Sequence, residues 1–449
     1  MSGRSRPVGQ SANFRPAAPE ATPNGASRWR RAWGFRDTDK NSYSPFATLG
    51  LDGGLTTRCV PLSPANRSVP SSPGALRLSL LYAVVFTEIG IAMPFMPVWL
   101  AALGLDAGVI GLLLALPIAT RIVATAPLMA LIDRGVGARR LIVAGSFGVA
   151  ATYAVMAPAA PALGWPALAV LTVLNAVAAA PLVPSIDYLT LAAARRDRRL
   201  SYARIRMAGS VAFLFANLAG GALLAALGGR LAVPLLLTGL ALLAGLTARR
   251  DRTPADPSRR AEAGPSPPLP RRLWLCIAAA AAIQASHAAV YGFGSIHWSA
   301  GGLAPTTIGA LWATGVLGEI ATFAVAPRLP ARWRGPVPLL AAGATAAILR
   351  AVGLFLADDT LALLVPLQAL HGLTFGATQL GAMEAVSTLG PEGARGRAQG
   401  LLSAVNAGVS VAATLASGLI YREAGGAVFL AMAPLAACGL ALALVAARR

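Results

Sequence analysis

Residues 276–319 read CIAAAAAIQASHAAVYGFGSIHWSAGGLAPTTIGALWATGVLGE, an apolar run, a short Gly-rich break and a second apolar run. Polar residues stand where a lipid-facing helix could not carry them. Gln284, His287 and Tyr291 are spaced i, i+3 and i+7, so a regular helix puts them on one face. Glu319 sits midway along the second run. Ionisable groups at membrane depth are costly and usually face an internal pathway, so the stretch predicts a substrate or proton site between membrane helices. A helix-to-helix hydrogen bond that only holds a bundle together is the alternative for any single residue.

Composition agrees with a membrane setting. The 449-residue chain is 56% hydrophobic and 12% charged, with a mean hydropathy of +0.63, against about 25% charged in soluble domains. A net charge of +20 would suggest nucleic acid in a soluble protein. Here the arginines lie in short loops between apolar spans, where charge sets topology, so no nucleic-acid partner is expected. Cys59, Cys276 and Cys438 form neither a disulfide framework nor a metal knuckle. There is no G-x-S-x-G elbow, H-E-x-x-H or C-x-x-C, and Lys40, the sole lysine, lies in the N-terminal tail. The expectation is no enzyme, no cofactor and no ATP site, hence secondary transport.

Residues 1–75 are rich in Pro, Ser, Gly and Arg without a sustained period, which predicts disorder, and they lack the apolar core of a signal peptide. After Met1 the next Met is Met93, so translation is expected to start at a non-Met codon shortly before Ala75. From Leu76 onward, twelve apolar spans of about 20 residues each suit a bilayer: 76–101, 107–132, 139–158, 163–192, 203–228, 231–248, 273–299, 306–327, 335–356, 361–388, 396–421 and 426–446. Loops after even spans carry Arg134, Arg139 and Arg140, then Arg195 to Arg206, Arg249 to Arg272, Arg328 to Arg334, and Arg395 with Arg397; those after odd spans hold Arg230 and Arg422. The positive-inside rule then predicts a cytoplasmic (inner) membrane protein with both termini and the 249–272 linker cytoplasmic. A reporter active only outside the cytoplasm, fused after Arg260, should stay silent; strong activity would invert the topology.

The linker, charged and Pro-rich, divides an N-terminal half (76–248) from a C-terminal half (273–449). A shift of 198 residues superposes Ile110-Gly111 on Ile308-Gly309, Phe95 on Phe293 and Arg121 on Glu319. Arg204-x-Arg206-x-x-Gly209 before span 5 recurs as Arg395-x-Arg397-x-x-Gly400 before span 11. The expected fold class is all-α: twelve transmembrane helices in two six-helix halves with weak parallel similarity.

Four stretches carry a family resemblance: QASHAAVYGFGSIHW (284–298), PLVPSID (181–187), SYARIRMAGSVAF (201–213) and HGLTFGATQLGAME (371–384). On these the chain resembles the major facilitator superfamily and, within it, the phenylpropionate permease group of proton symporters. The superfamily's loop motif after helix 2, G-x-x-x-D-R-x-G-R-R, is matched in part by MALIDRGVGARR (129–140). Asp133, Arg134, Arg139 and Arg140 are present, while Met129 replaces the first Gly and the spacing is longer by two. The resemblance implies that spans 1, 4, 7 and 10 line a central cavity. The polar census fits: Glu88 in span 1, Asn175 and Asp187 in span 4, Gln284, His287 and Tyr291 in span 7, His371 and Gln379 in span 10. Gln284, His287, Tyr291, His371, Gln379 and Asn175 are therefore the substrate-binding candidates.

Depth sorts the charged residues. Glu88 and Arg121 each lie roughly 17 Å from their arginine-rich ends and can neutralise each other. Asp187 and Glu384 lie near those ends, within reach of Arg204, Arg206, Arg395 and Arg397, which predicts gate salt bridges, with Asp133 and Arg134 in the loop after span 2. A fixed helix-end charge is the alternative for Asp187. Glu319, Glu88 and Arg121 are the proton-coupling candidates, Glu319 foremost because its own half offers no basic partner at its depth. Arg350 in span 9 is expected to snorkel toward the outer interface. Met93, Phe95 and Trp99 suit either an aromatic substrate or packing. Together these predict a monomeric, proton-coupled transporter of a small organic acid. If Glu88 neutralises Arg121, a neutral solute such as a nucleoside, sugar or drug is equally open, in either direction of transport. A non-transporting membrane sensor is the third possibility.

Overall fold

The computed structural model describes residues 73–197, 200–227, 231–250, 267–357, 360–391 and 394–448. The expected tail before residue 73, linker residues 251–266 and the side chain of Asp133 lie outside them. Among the described residues, twelve helices are long and apolar enough to cross a membrane. They are α1 (Gly74–Ala102), α2 (Ala107–Ile132), α3 (Ala138–Ala160), α4 (Ala162–Arg196), α5 (Arg204–Leu227), α6 (Ala232–Arg249), α7 (Arg271–Ala300), α8 (Pro305–Arg328), α9 (Pro336–Ala357), α10 (Leu361–Leu389), α11 (Arg395–Ala424) and α12 (Ala427–Ala447). Hydrocarbon offers no partner to a bare N–H or C=O, so each span satisfies its backbone within itself.

Local chemistry sets the junctions. Asp106 caps α2 by accepting a hydrogen bond from the Gly108 amide at 2.8 Å. Pro305 opens α8, where its missing N–H costs nothing. The α3–α4 hairpin turns on a kink at Gly164, in the first residues of α4, whose φ of 71 is a left-handed conformation that a β-carbon would strain.

Packing repeats between the halves. In the first, α1 packs on α5 and α6, and α6 on the α3–α4 hairpin; in the second, α7 packs on α11 and α12, and α9 on α12. The halves meet where α2 lies against α11 and α5 against α8, pairs that the repeat interchanges.

Both seams are closest near the loops that follow odd-numbered helices. A β-carbon on Gly111 would stand 2.8 Å from the Gly418 α-carbon, one on Gly309 2.2 Å from the Asn217 carbonyl oxygen, and one on Gly221 2.3 Å from that of Pro305. These are backbone neighbours that cannot step aside, so glycine is what lets the halves close here. Gly111→Leu combined with Gly309→Leu is expected to part the halves on this side and lengthen the distance between spin labels at Ala102 and Ala424. An unchanged distance would mean that the seam yields elsewhere.

Candidate functional site

Two helices are interrupted at matching places. α7 runs regularly to Ala285, turns at Ser286 and His287, and widens to a π-turn at Val290–Gly294. α10 is regular to Ala369 and widens at Gly372–Ala377. Such interruptions cost backbone hydrogen bonds and are concentrated at functional sites. Here they face each other: His287 Nε2 lies 2.8 Å from the Thr374 hydroxyl, while its Nδ1 lies 2.9 Å from the Gln284 carbonyl oxygen.

An aromatic cluster grows from this point. The His287 ring stacks on Tyr291 at 5.4 Å and meets His371 edge-on at 5.2 Å. Tyr291 stacks on Trp312 of α8 at 5.8 Å, and His371 on Phe375 at 5.5 Å. The Trp312 indole N–H donates to the Ser295 hydroxyl at 2.9 Å, which fixes the ring.

Tyr291, Trp312, His371 and Phe375 form one wall of a cavity of about 370 Å³. Arg350, Gln368 and Glu319 complete that polar wall; Phe86 and Met93 of α1 with Phe213 of α5 supply an apolar one opposite. At the arginine-rich end Arg206 lines the cavity, its guanidinium 4.4 Å from the Phe86 ring centre. The size and the apolar lining with a few convergent polar groups suit a small ring-bearing solute.

Arg350 corrects the snorkelling expectation. Its side chain is 5% exposed, so it points into the bundle. Nε donates to the Leu367 carbonyl at 3.0 Å and a terminal nitrogen to the Gln368 side-chain oxygen, while the Gln368 amide reaches the Leu311 carbonyl at 3.4 Å. The reason is tertiary: α9 packs on both segments of α10, on α7 and on α12, which leaves Arg350 no path to an interface. Arg350 and Gln368, with Phe86, Phe213, Trp312 and Phe375, are the cavity residues that sequence reading missed. The signal was there, since Arg350 is the one charged residue inside α9.

The substrate candidates divide. His287 is buried at 2% exposure within the cluster, and Tyr291 and His371 reach the cavity. Gln284, just before the break at Ser286 and His287, does not line it. Asn175 is in the first half, donating to the Thr152 hydroxyl at 2.8 Å, and Gln379 is half-buried beyond the π-turn of α10; neither lines the cavity. Met93 lines it, whereas Phe95 and Trp99 border a separate apolar cavity.

Glu88 is 7% exposed, accepts a hydrogen bond from the Tyr153 hydroxyl and feels the charge of Arg121. Glu319, in contrast, is half-buried and faces the cavity. Among the gate candidates, Asp187 accepts from the Tyr202 hydroxyl at 3.0 Å and from that of Tyr82, with Arg206 Nε at 3.9 Å. This knot joins α1, α4 and α5, all of one half. Arg204 is exposed, and so is Arg134 at the end of α2. Glu384 is not bridged to Arg395 or Arg397 among the described residues. Its carboxylate accepts from Ser387 at 3.5 Å, while Arg395 donates to the Gly390 carbonyl at 3.4 Å and Arg397 to that of Pro267. Both guanidiniums bond backbone carbonyls outside the helices instead.

Similarity to known proteins follows the same outline. The family model described as "MFS_1 like family" matches residues 75–431. The chain is 32% identical over 365 residues to the "Probable 3-phenylpropionic acid transporter" of Escherichia coli (strain K12), covering 79% of this chain and 93% of that protein. Among solved structures it is similar to the nucleoside transporter NupG, with a TM-score of 0.70 at 16% identity over 84% of this chain and 99% of that one. It is also similar to an inward-facing, occupied bacterial homologue of the human lysosomal transporter Spinster, at 0.63 and 16% over 83% and 96%. At such identities these structures speak for the fold alone. With the family model spanning all but the last of the twelve helices, the chain belongs to the MFS_1-like family of major facilitator transporters.

Proposed function

We propose that this protein carries a small aromatic carboxylic acid together with a proton across the cytoplasmic membrane, by alternating access around the cavity at Arg350. The observation that carries the reading is Arg350 itself: a buried guanidinium bordering a solute-sized cavity, with no carboxylate within ion-pair distance among the described residues. A buried charge without a counter-charge is expensive, and an anionic substrate supplies what is missing. Guanidinium also matches carboxylate geometry. Phe86, Met93, Phe213 and Trp312 offer the apolar surface an aromatic ring needs. The name of the Escherichia coli relative points to the same substrate class.

The proton is assigned to Glu319, which shares the cavity. A carboxyl there can hold a proton while the cavity is dry and release it once water enters. Substrate contacts go to Tyr291 and His371, with His287 holding the cluster in register. The close seams at Gly111 and Gly309 suit a state closed on one side. By the arginine distribution, the open side is cytoplasmic.

Uptake into proteoliposomes under an imposed pH gradient tests the reading with a panel of aromatic acids, nucleosides and sugars. Aryl-substituted carboxylates are expected to accumulate only with the gradient. Accumulation of a nucleoside or sugar in their place would replace the assignment.

A further inference from the structure

A cavity of about 520 Å³ lies between the arginine-rich parts of α8, α9 and α10, apart from the substrate cavity. Its walls are Val325, Leu329, Leu339, Leu373 and the Trp333 ring. The hydroxyl of Thr322, its polar side chain, is turned back to the Gly318 carbonyl at 3.0 Å, so the walls offer little to a polar solute.

The rim is different. The end of α8 and the loop after it present Arg328, Arg332 and Arg334, all exposed, and Trp333 is 53% exposed. Arg328 bonds to the Ala324 carbonyl, and among the described residues no carboxylate pairs with Arg332 or Arg334. Tryptophan at a helix end marks the headgroup layer.

We propose that this groove holds an acyl chain of an anionic phospholipid whose phosphate is bound by Arg332 and Arg334. At this depth a tail is the apolar material at hand, and water gains nothing from an apolar hollow. Any phospholipid supplies the tail, but only a net negative headgroup answers unpaired guanidiniums, by a factor of about five per charge. The groove also touches the helices that work. Thr322 lies three residues beyond Glu319, and Leu373 and Ala377 belong to the π-turn of α10. A bound chain therefore packs behind the α8 and α10 wall of the substrate cavity, opposite α1 and α5.

The full-length protein, delipidated in detergent and mixed with phosphatidylglycerol or phosphatidylcholine of matched chains, can be read by native mass spectrometry. Phosphatidylglycerol should be retained preferentially. Arg332→Gln with Arg334→Gln should weaken its retention by roughly 25-fold and leave phosphatidylcholine unchanged, whereas Ala342→Trp, which fills the groove, should weaken both. Equal retention of the two lipids, or wild-type retention by the double variant, would overturn the site. Displacement of the lipid by inorganic phosphate would overturn it too, by assigning the arginines to a free anion.

Discussion

Arg350→Met is expected to weaken the uptake of aromatic carboxylates severely without impairing the fold. In the wild-type protein the guanidinium is held by the Leu367 carbonyl and the Gln368 side chain at the edge of the cavity. Truncating one partner of a buried, hydrogen-bonded charge pair typically costs 2 kcal/mol or more. The half-saturating concentration should thus rise by roughly 30-fold or more. Stability should move the other way, or hardly at all. Removing a buried charge that has no counter-charge is favourable, which offsets about 1–3 kcal/mol for each of the two acceptors, the Leu367 carbonyl and the Gln368 side-chain oxygen, left without its donor. Arg350→Lys keeps the charge without the planar fork, so it should fall between the two in affinity. If Arg350→Met takes up aromatic acids with wild-type affinity, the carboxylate is anchored elsewhere, and Arg206 at the cavity's other end becomes the candidate. If the variant fails to fold, Arg350 is structural.

Glu319→Gln should separate transport from its driving force. Glutamine mimics the protonated acid, so substrate exchange across the membrane should persist while accumulation against a gradient is lost. Glu88 is the control. It is buried in the first half, bonded to Tyr153 and close to the charge of Arg121. Glu88→Gln should therefore lower folding yield while leaving coupling intact in the protein that does fold. Uphill accumulation by Glu319→Gln with wild-type dependence on external pH would make Glu319 structural and move the proton to Glu88 or the histidines.

The repeat read from sequence marked more than an ancestral duplication. Gly111 and Gly309, superposed by the 198-residue shift, are both places where the two halves touch backbone to backbone. Nothing in either local sequence says so. The atoms that demand glycine belong to Gly418 and Asn217, far away along the chain. The same limit applied to Gln284, His287 and Tyr291. Their spacing is a single face only if the helix is regular, and the interruption of α7 at His287 is held from α10 by Thr374.

Sequence alone determined the number of spans, their ends to within a few residues and the all-α class. A chain in hydrocarbon must satisfy each backbone group inside its own span, so length and apolarity suffice to read a helix. It also placed His287, His371 and Glu319 inside those spans. Which way a side chain points was decided only by tertiary structure. In water the buried face of a helix is its apolar stripe, but in lipid both faces are apolar and the pattern that would aim Arg350 inward is missing. Its direction came from α9 packing on α7, α10 and α12, neighbours that only the folded chain brings together.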